Sequence, residues 1–208
     1  MNKLFFLFLF FLCSLAHASI EKYEKDFASV SNKYVVDFNL LKSIALAESG
    51  GMPLTVLIAG ERFNFTNVAE VMKFVSAIRS KSWLLVVRRG GVFNLRLFFK
   101  NKRDAEEYIT SYMNQNQFTL LNINFSNVKY GIMGIKTSQN VEFNEKIFNP
   151  FKNISYGAKK LKDDIKLMGL KNALKVFCEC KDYEDYYRRV GYFYNNLTDK
   201  NISTLFSE

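Results

Sequence analysis

The chain has 208 residues and a formal net charge of +9, from 29 Lys and Arg against 20 Asp and Glu. This balance favours a polyanionic partner, which can be an acidic cell wall, a membrane surface or a nucleic acid. The single histidine, His17, lies in an N-terminal segment that we expect to be removed, which excludes Ser-His-Asp and Cys-His catalysis and His-ligated zinc.

The N-terminal segment is predicted to direct export. Lys3 precedes an apolar run from Leu4 to Ala16, and Ala16-His17-Ala18 is a small-x-small cleavage signal. We therefore expect a signal peptide over residues 1–18 and one domain over 19–208. The apolar run is about 13 residues, shorter than the roughly 20 needed to span a bilayer, so no stable membrane span is expected after cleavage. An uncleaved anchor is the alternative.

A helix that carries a carboxylate on its apolar stripe is predicted from Val36 to Gly51. Asp37 is a suitable N-cap, and Gly50-Gly51 ends the pattern. The apolar stripe has helical spacing and consists of Leu41, Ile44, Ala45 and finally Glu48. In the last turn, Glu48 is partly removed from water and lies near the negative end of the helix dipole. Both effects favour the protonated carboxyl.

An α+β segment follows, at about residues 52–117. No Pro-rich or Ser-rich linker marks its edges, so we interpret it as an insertion and not as a separate domain. Gly90-Gly91 is a hairpin signal between two of its strands. The predicted strands are Thr55–Ile58, Trp83–Arg89 and Val92–Lys100, and the predicted helices are Val68–Ile78 and Arg103–Asn116.

The last part of the chain is mostly helical. After a strand over Phe118–Phe125, helices are predicted over Asn153–Met168, Lys171–Cys178 and Tyr183–Asn196. The fold class is therefore α+β and mainly helical. Cys178 and Cys180 are spaced so that helical geometry would point their sulfurs apart, so we expect free thiols or an unusual local bridge.

Four segments, taken in order, resemble the lytic transglycosylases with a goose-type-lysozyme-like catalytic domain. The first is the helix that ends in Glu48-Ser49-Gly50. The second runs from Asn124 through Tyr130-Gly131-Ile132-Met133-Gly134-Ile135 and resembles a Gly-Leu-Met-Gln-Ile segment. The third is Phe148-Asn149-Pro150 followed by Asn153-Ile154, Gly157-Ala158 and Leu161, and the last is Val190 to Asn196, which resembles a terminal Tyr-Asn motif at Tyr194-Asn195. The long spacing between the first two segments is similar to a conjugation-associated branch that carries an insertion.

The resemblance implies a lysozyme-like domain that cleaves peptidoglycan glycan strands in the periplasm of a Gram-negative envelope. It assigns the catalytic acid to Glu48 and implies no metal and no cofactor. It also implies substrate-binding roles for Ser49, Gly131, Met133, Tyr194 and Asn195. A secretion, flagellar or conjugation apparatus is an expected partner, whereas nucleic acid is not, because the basic residues are dispersed.

Two positions depart from the family pattern. Gly134 stands where the family has glutamine, and Asn196 stands where a glycine usually follows Tyr-Asn. Neither change touches the acid, but both bear on sugar binding.

Two alternatives remain open at this point. One is a wall-binding or assembly protein that keeps the scaffold without turnover. The other is an exported domain that binds a protein partner through basic residues of the hairpin, Arg88, Arg89 and Arg96.

Overall fold

A computed structural model describes residues 20–89, 93–111, 117–137, 143–180, 182–199 and residue 202. The predicted signal peptide lies outside these residues, as do Gly90-Gly91 and the end of the helix predicted to reach Asn116. Within the described part of the chain, no helix is long and apolar enough to cross a membrane.

The described residues contain six α-helices and seven strands, which confirms a mainly helical α+β fold. The helices are α1 (Glu24–Tyr34), α2 (Phe38–Ser49), α3 (Val68–Ile78), α4 (Lys102–Ser111), α5 (Pro150–Cys178) and α6 (Tyr183–Thr198). The strands are β1 (Thr55–Ile58), β2 (Glu61–Asn64), β3 (Trp83–Arg89), β4 (Phe93–Phe99), β5 (Gln117–Asn122), β6 (Lys129–Tyr130) and β7 (Ile135–Lys136). Two 3-10 turns lie at Phe125–Asn127 and Glu145–Phe148.

The strands form two antiparallel sheets, with the orders β2-β1-β6-β7 and β4-β3-β5. In the first sheet, Val56 pairs with Tyr130 and Leu57 with Lys129, which brings β6 back beside the strand that follows α2. The second sheet takes β3 and β4 from the predicted insertion and β5 from just after it. The first sheet therefore places β6 close to the end of α2.

Contacts between the two sheets are aromatic and ionic. The Phe74 ring of α3 lies 5.1 Å from Phe63 of β2 and 5.7 Å from Phe98 of β4, measured between centroids. The Glu61 carboxylate accepts from Arg88 at 3.0 Å and from Arg96 at 2.9 Å. Two of the three hairpin arginines are thus paired within the protein, which reduces the positive charge that they offer to a partner. The side chain of the third, Arg89, lies outside the described residues.

Helix α2 lies in the centre of the helical part, where it packs against α1 and α6, while α1 also packs against α5. Ten of its residues, Leu40 through Ser49, are buried. Helix α5 is interrupted at Gly169, whose φ of 77° and ψ of 162° are not helical. The interruption falls between the two helices predicted for this segment.

Most predicted elements are confirmed, but three short strands were missed. β2, β6 and β7 contain two to four residues, too few to show a clear alternation of apolar and polar side chains. The strand predicted to reach Phe125 ends at Asn122. At the end of α5, Glu179 adopts a left-handed conformation that turns the chain. The turn brings the Cα atoms of Cys178 and Cys180 to 5.1 Å from each other and their two sulfurs into contact. Of the two states expected for these cysteines, free thiols or a local bridge, this arrangement matches the local bridge.

Candidate functional site

Glu48 lies in the last turn of α2, as the apolar spacing predicted. The Asp37 side chain caps the start of this helix by accepting from the Leu40 amide at 2.7 Å. Gly50 ends the helix in a left-handed conformation with φ 69°. Only 3% of Glu48 is exposed. The helix therefore holds the carboxyl inside the protein.

Lys129 is the direct partner of this carboxyl. Its Nζ lies 2.7 Å from Oε1 and 2.9 Å from Oε2 of Glu48. The lysine side chain is 13% exposed, so it lies between the buried acid and the solvent. Because both side chains are largely removed from water, little solvent screens the attraction between the two charges.

Helix α6 places two further residues around the acid. The Tyr186 hydroxyl is buried and close enough to the Glu48 carboxyl to lower its pKa. It forms no hydrogen bond of standard geometry within the described residues. The Arg189 guanidinium lies 5.7 Å from the centroid of the Tyr186 ring and donates to the Ala47 carbonyl at 3.1 Å.

The end of α2 also receives a guanidinium group from β2. Arg62 donates to the Glu48 carbonyl at 3.0 Å, so this arginine and Arg189 together bind the last carbonyls of the helix. Their positive charges oppose the negative end of the helix dipole. The dipole effect expected from the sequence is therefore partly offset by two side chains that are distant along the chain.

Burial raises the pKa of the Glu48 carboxyl above its ordinary value, since the ionised form loses its hydration. Lys129, Tyr186 and Arg189 act in the opposite direction by stabilising the carboxylate, but burial has the larger effect. The charged groups that lower the pKa of this carboxyl are the cations Lys129 and Arg189. A single acid with a raised pKa can give and take a proton.

The turn that carries Gly134 lies directly against Glu48. Gly134 has φ 60°, and a Cβ atom on it would be 2.6 Å from Oε2 of Glu48. A side chain at this position would therefore occupy the space of the carboxyl. The expectation that the change at Gly134 does not touch the acid was therefore wrong, because this glycine is the residue that lets the carboxyl approach the turn.

Two buried side chains hold this turn in place. The Ser49 hydroxyl donates to the Ile132 carbonyl at 2.7 Å, which joins the end of α2 to the turn. Asn153 of α5 accepts from the Met133 amide at 2.7 Å and donates to the carbonyls of Tyr130 and Ile147 at 3.0 and 2.7 Å. Side chains from two helices, α2 and α5, therefore hold the turn next to Glu48 in place.

The residues predicted to bind substrate occupy different environments. Ser49 and Met133 are fully buried, and Met133 packs against Gly157. Gly131 is left-handed and so close to Asn153 that it has no room for a side chain. Tyr194 is 3% exposed on α6, whereas Asn195 is exposed and accepts from the Ile202 amide at 2.9 Å. The roles of these five residues in substrate binding stay predictions.

A groove of about 930 Å³ runs past the other side of Gly134. It is bounded by the end of α1, by β7, by the second 3-10 turn and by both the first half and the end of α5, and Glu48 is not among its lining residues. Gly134 thus borders the groove and also lies against the buried carboxyl.

Sequence reasoning missed Lys129, Tyr186, Arg189 and Arg62. Tyr186 lies four residues before Val190 and eight before Tyr194, and this stripe on α6 is a detectable signal of a buried face. Lys129 stands in a two-residue strand, which leaves no pattern to detect. Among the residues that the structure describes, no group of three or more side chains is arranged to bind a metal ion.

No protein-family model matches this chain, and neither does any curated protein or solved structure.

Proposed function

We propose that this protein is a peptidoglycan lytic transglycosylase with a lysozyme-like domain that acts in the periplasm. The observation that carries the proposal is a carboxyl, Glu48, that is buried at the end of its helix with a raised pKa and lies against the Gly131–Ile135 turn. The helix end and the turn are the first two of the four segments that resemble that family.

One carboxyl is sufficient for this reaction. Protonated Glu48 donates its proton to the glycosidic oxygen between MurNAc and GlcNAc as the bond from that oxygen to the anomeric carbon breaks. The 6-hydroxyl of the same MurNAc attacks the anomeric carbon, and its proton passes to the Glu48 carboxylate. The product is a 1,6-anhydro ring, and no water is consumed. Most glycosidases that use water need a second carboxylate as nucleophile or base, whereas this reaction needs only Glu48.

Lys129 has a defined part in this scheme. After the proton leaves, the Glu48 carboxylate is stabilised by Nζ contacts at 2.7 and 2.9 Å. The lysine therefore makes Glu48 a stronger acid than burial alone would allow. It is a positioning residue, because it acts through Glu48.

The second candidate is a non-catalytic wall-binding protein on the same scaffold. Glu48 is 3% exposed, is ion-paired and does not line the groove, and these observations favour it. In that case the Glu48–Lys129 pair serves only to join α2 to β6.

Digestion of purified sacculi separates these functions. Mass spectrometry of the soluble products is expected to show muropeptides that end in 1,6-anhydro-MurNAc. Reducing ends in place of anhydro ends would identify a hydrolase. Binding to sacculi without any soluble product would support the wall-binding protein and would contradict the proposed reaction.

A further inference from the structure

The groove beside Gly134 is lined by six lysines and only three carboxylates. The lysines come from four separate parts of the chain and converge on one space. They are Lys33 at the end of α1, Lys136 in β7, Lys146 in a 3-10 turn, and Lys152, Lys159 and Lys160 in α5. Such a concentration of one charge within a concave surface attracts anions.

Within the described residues, two of these six lysines are paired with carboxylates. Lys136 pairs with Glu179 at 2.6 Å and Lys160 with Asp164 at 2.8 Å. For the other four, no carboxylate of the described residues lies within salt-bridge distance. The Lys33 ammonium instead lies 5.1 Å from the centroid of the Tyr34 ring.

The helix α5 arranges its groove residues on one face. Lys152, Tyr156, Lys159 and Asp163 recur at helical spacing and all line the groove. Between them, the Ser155 hydroxyl is buried and has no hydrogen-bond partner among the described residues. The apolar and basic side chains of this face, and not the buried Ser155 hydroxyl, are therefore what a ligand in the groove would contact.

We infer that this groove binds the acidic peptide stems of peptidoglycan, with Lys152 and Lys159 pairing with the stem carboxylates. This inference rests on the proposed function, since it names the part of the proposed substrate that the groove takes. Stem peptides carry several free carboxylates along a short flexible chain, which complements the unpaired lysines. A volume of about 930 Å³ is large enough for a few amino acids. Phe151 and Tyr156, both partly exposed, supply apolar surface for the aliphatic parts of the stem.

The test measures binding of a synthetic stem tripeptide, alanyl-D-glutamyl-diaminopimelate, to the full chain by calorimetry. This peptide has no glycosidic bond, so its binding is independent of whether the protein cleaves glycan. The double variant Lys152→Gln/Lys159→Gln is expected to weaken binding about tenfold or more, because two attractive charges are lost. The variant Lys152→Arg/Lys159→Arg keeps both charges and is expected to retain binding.

The matched control is Lys162→Gln/Lys166→Gln, which removes the same charge from exposed positions of the same helix that do not line the groove. It is expected to bind the tripeptide as the unchanged protein does. A second control is the tripeptide with its carboxylates amidated, which is expected to bind about tenfold more weakly than the free acid.

Three results would overturn the inference. The first is that the control variant loses as much affinity for the tripeptide as the groove variant. The second is that the amidated peptide binds as well as the free acid. The third is that single-stranded DNA or anionic lipid vesicles bind more tightly than the tripeptide and displace it, which would assign the groove to another anion. If the tripeptide binds as expected but sacculi yield no anhydro products, the groove assignment stands and the proposed reaction fails.

Discussion

Lys129 contacts both carboxylate oxygens of Glu48, although 81 residues of chain separate them. The contact exists because β6 pairs with β1, the strand that follows α2. It gives the candidate acid a fixed partner and links its protonation to the position of one lysine. The following predictions start from this pair and from the turn beside it.

Replacing Glu48 with Gln is expected to abolish the release of anhydromuropeptides from sacculi while the fold remains intact. The amide has nearly the same shape but no proton that it can transfer. Product mass spectrometry measures the first effect and circular dichroism the second. The matched control is Glu24→Gln, another carboxylate paired with a lysine, Lys42, at 3.0 Å. Full activity in the Glu48→Gln protein would rule out the mechanism.

Replacing Lys129 with Met is expected to raise the pKa of Glu48 further, because the lysine lowers it in the native protein. An acid catalyst must be protonated, so activity declines as the pH rises through this pKa. The alkaline limb of the pH–rate profile is therefore expected to move to higher pH in the variant. Lys42→Met removes a lysine that pairs with a different carboxylate and is expected to leave the limb in place. An unmoved limb in Lys129→Met would show that this lysine does not act on the acid.

The stability of the protein is expected to depend on the protonation of Glu48. A carboxyl with a raised pKa in the folded state takes up protons more readily when folded than when unfolded. Its contribution to stability is full below its ordinary pKa of 4.5 and is lost as the pH rises through the raised value. Glu48→Gln removes this dependence, so the stability of the variant relative to the unchanged protein should increase from pH 4 to neutral pH. Urea denaturation over that range measures the trend, and a constant difference would contradict it.

Gly134→Ala is expected to destabilise the protein more than a left-handed backbone alone explains. The strain of a left-handed alanine is about 1–2 kcal/mol, and the new Cβ would also lie 2.6 Å from the Glu48 carboxylate. Gly60→Ala is the control, since Gly60 is left-handed as well but has no atom within 4 Å of that position. Equal losses of unfolding free energy in the two variants would show that the contact with Glu48 is unimportant.

Asn153→Ala is expected to lower the free energy of unfolding by about 3 kcal/mol or more, because three buried backbone groups lose a partner. Asn172→Ala, at an exposed position of the same helix, is expected to change it by less than about 0.5 kcal/mol. Urea denaturation measures both. A small effect at Asn153 would mean that the turn beside Glu48 is held by other contacts.

Local patterns were sufficient to predict much of this protein. The apolar spacing of α2, its Asp37 cap and the glycines at its end placed a buried carboxylate in the last helical turn, and the structure has it there. These features depend on residues within a few positions of one another. Helical periodicity and capping are local properties of the chain, so they can be read without the fold.

The surroundings of that carboxylate were decided only by the tertiary structure. Lys129, Tyr186, Arg62 and Arg189 reach the end of α2 from a two-residue strand, another strand and a distant helix. Strand pairing and helix packing bring them together, and neither follows from spacing along the chain. For the same reason, the lysines of the groove looked dispersed in the sequence and converge only in the fold. The sequence by itself determined that an acid would be buried. The fold decided which cations oppose the rise in its pKa that burial causes.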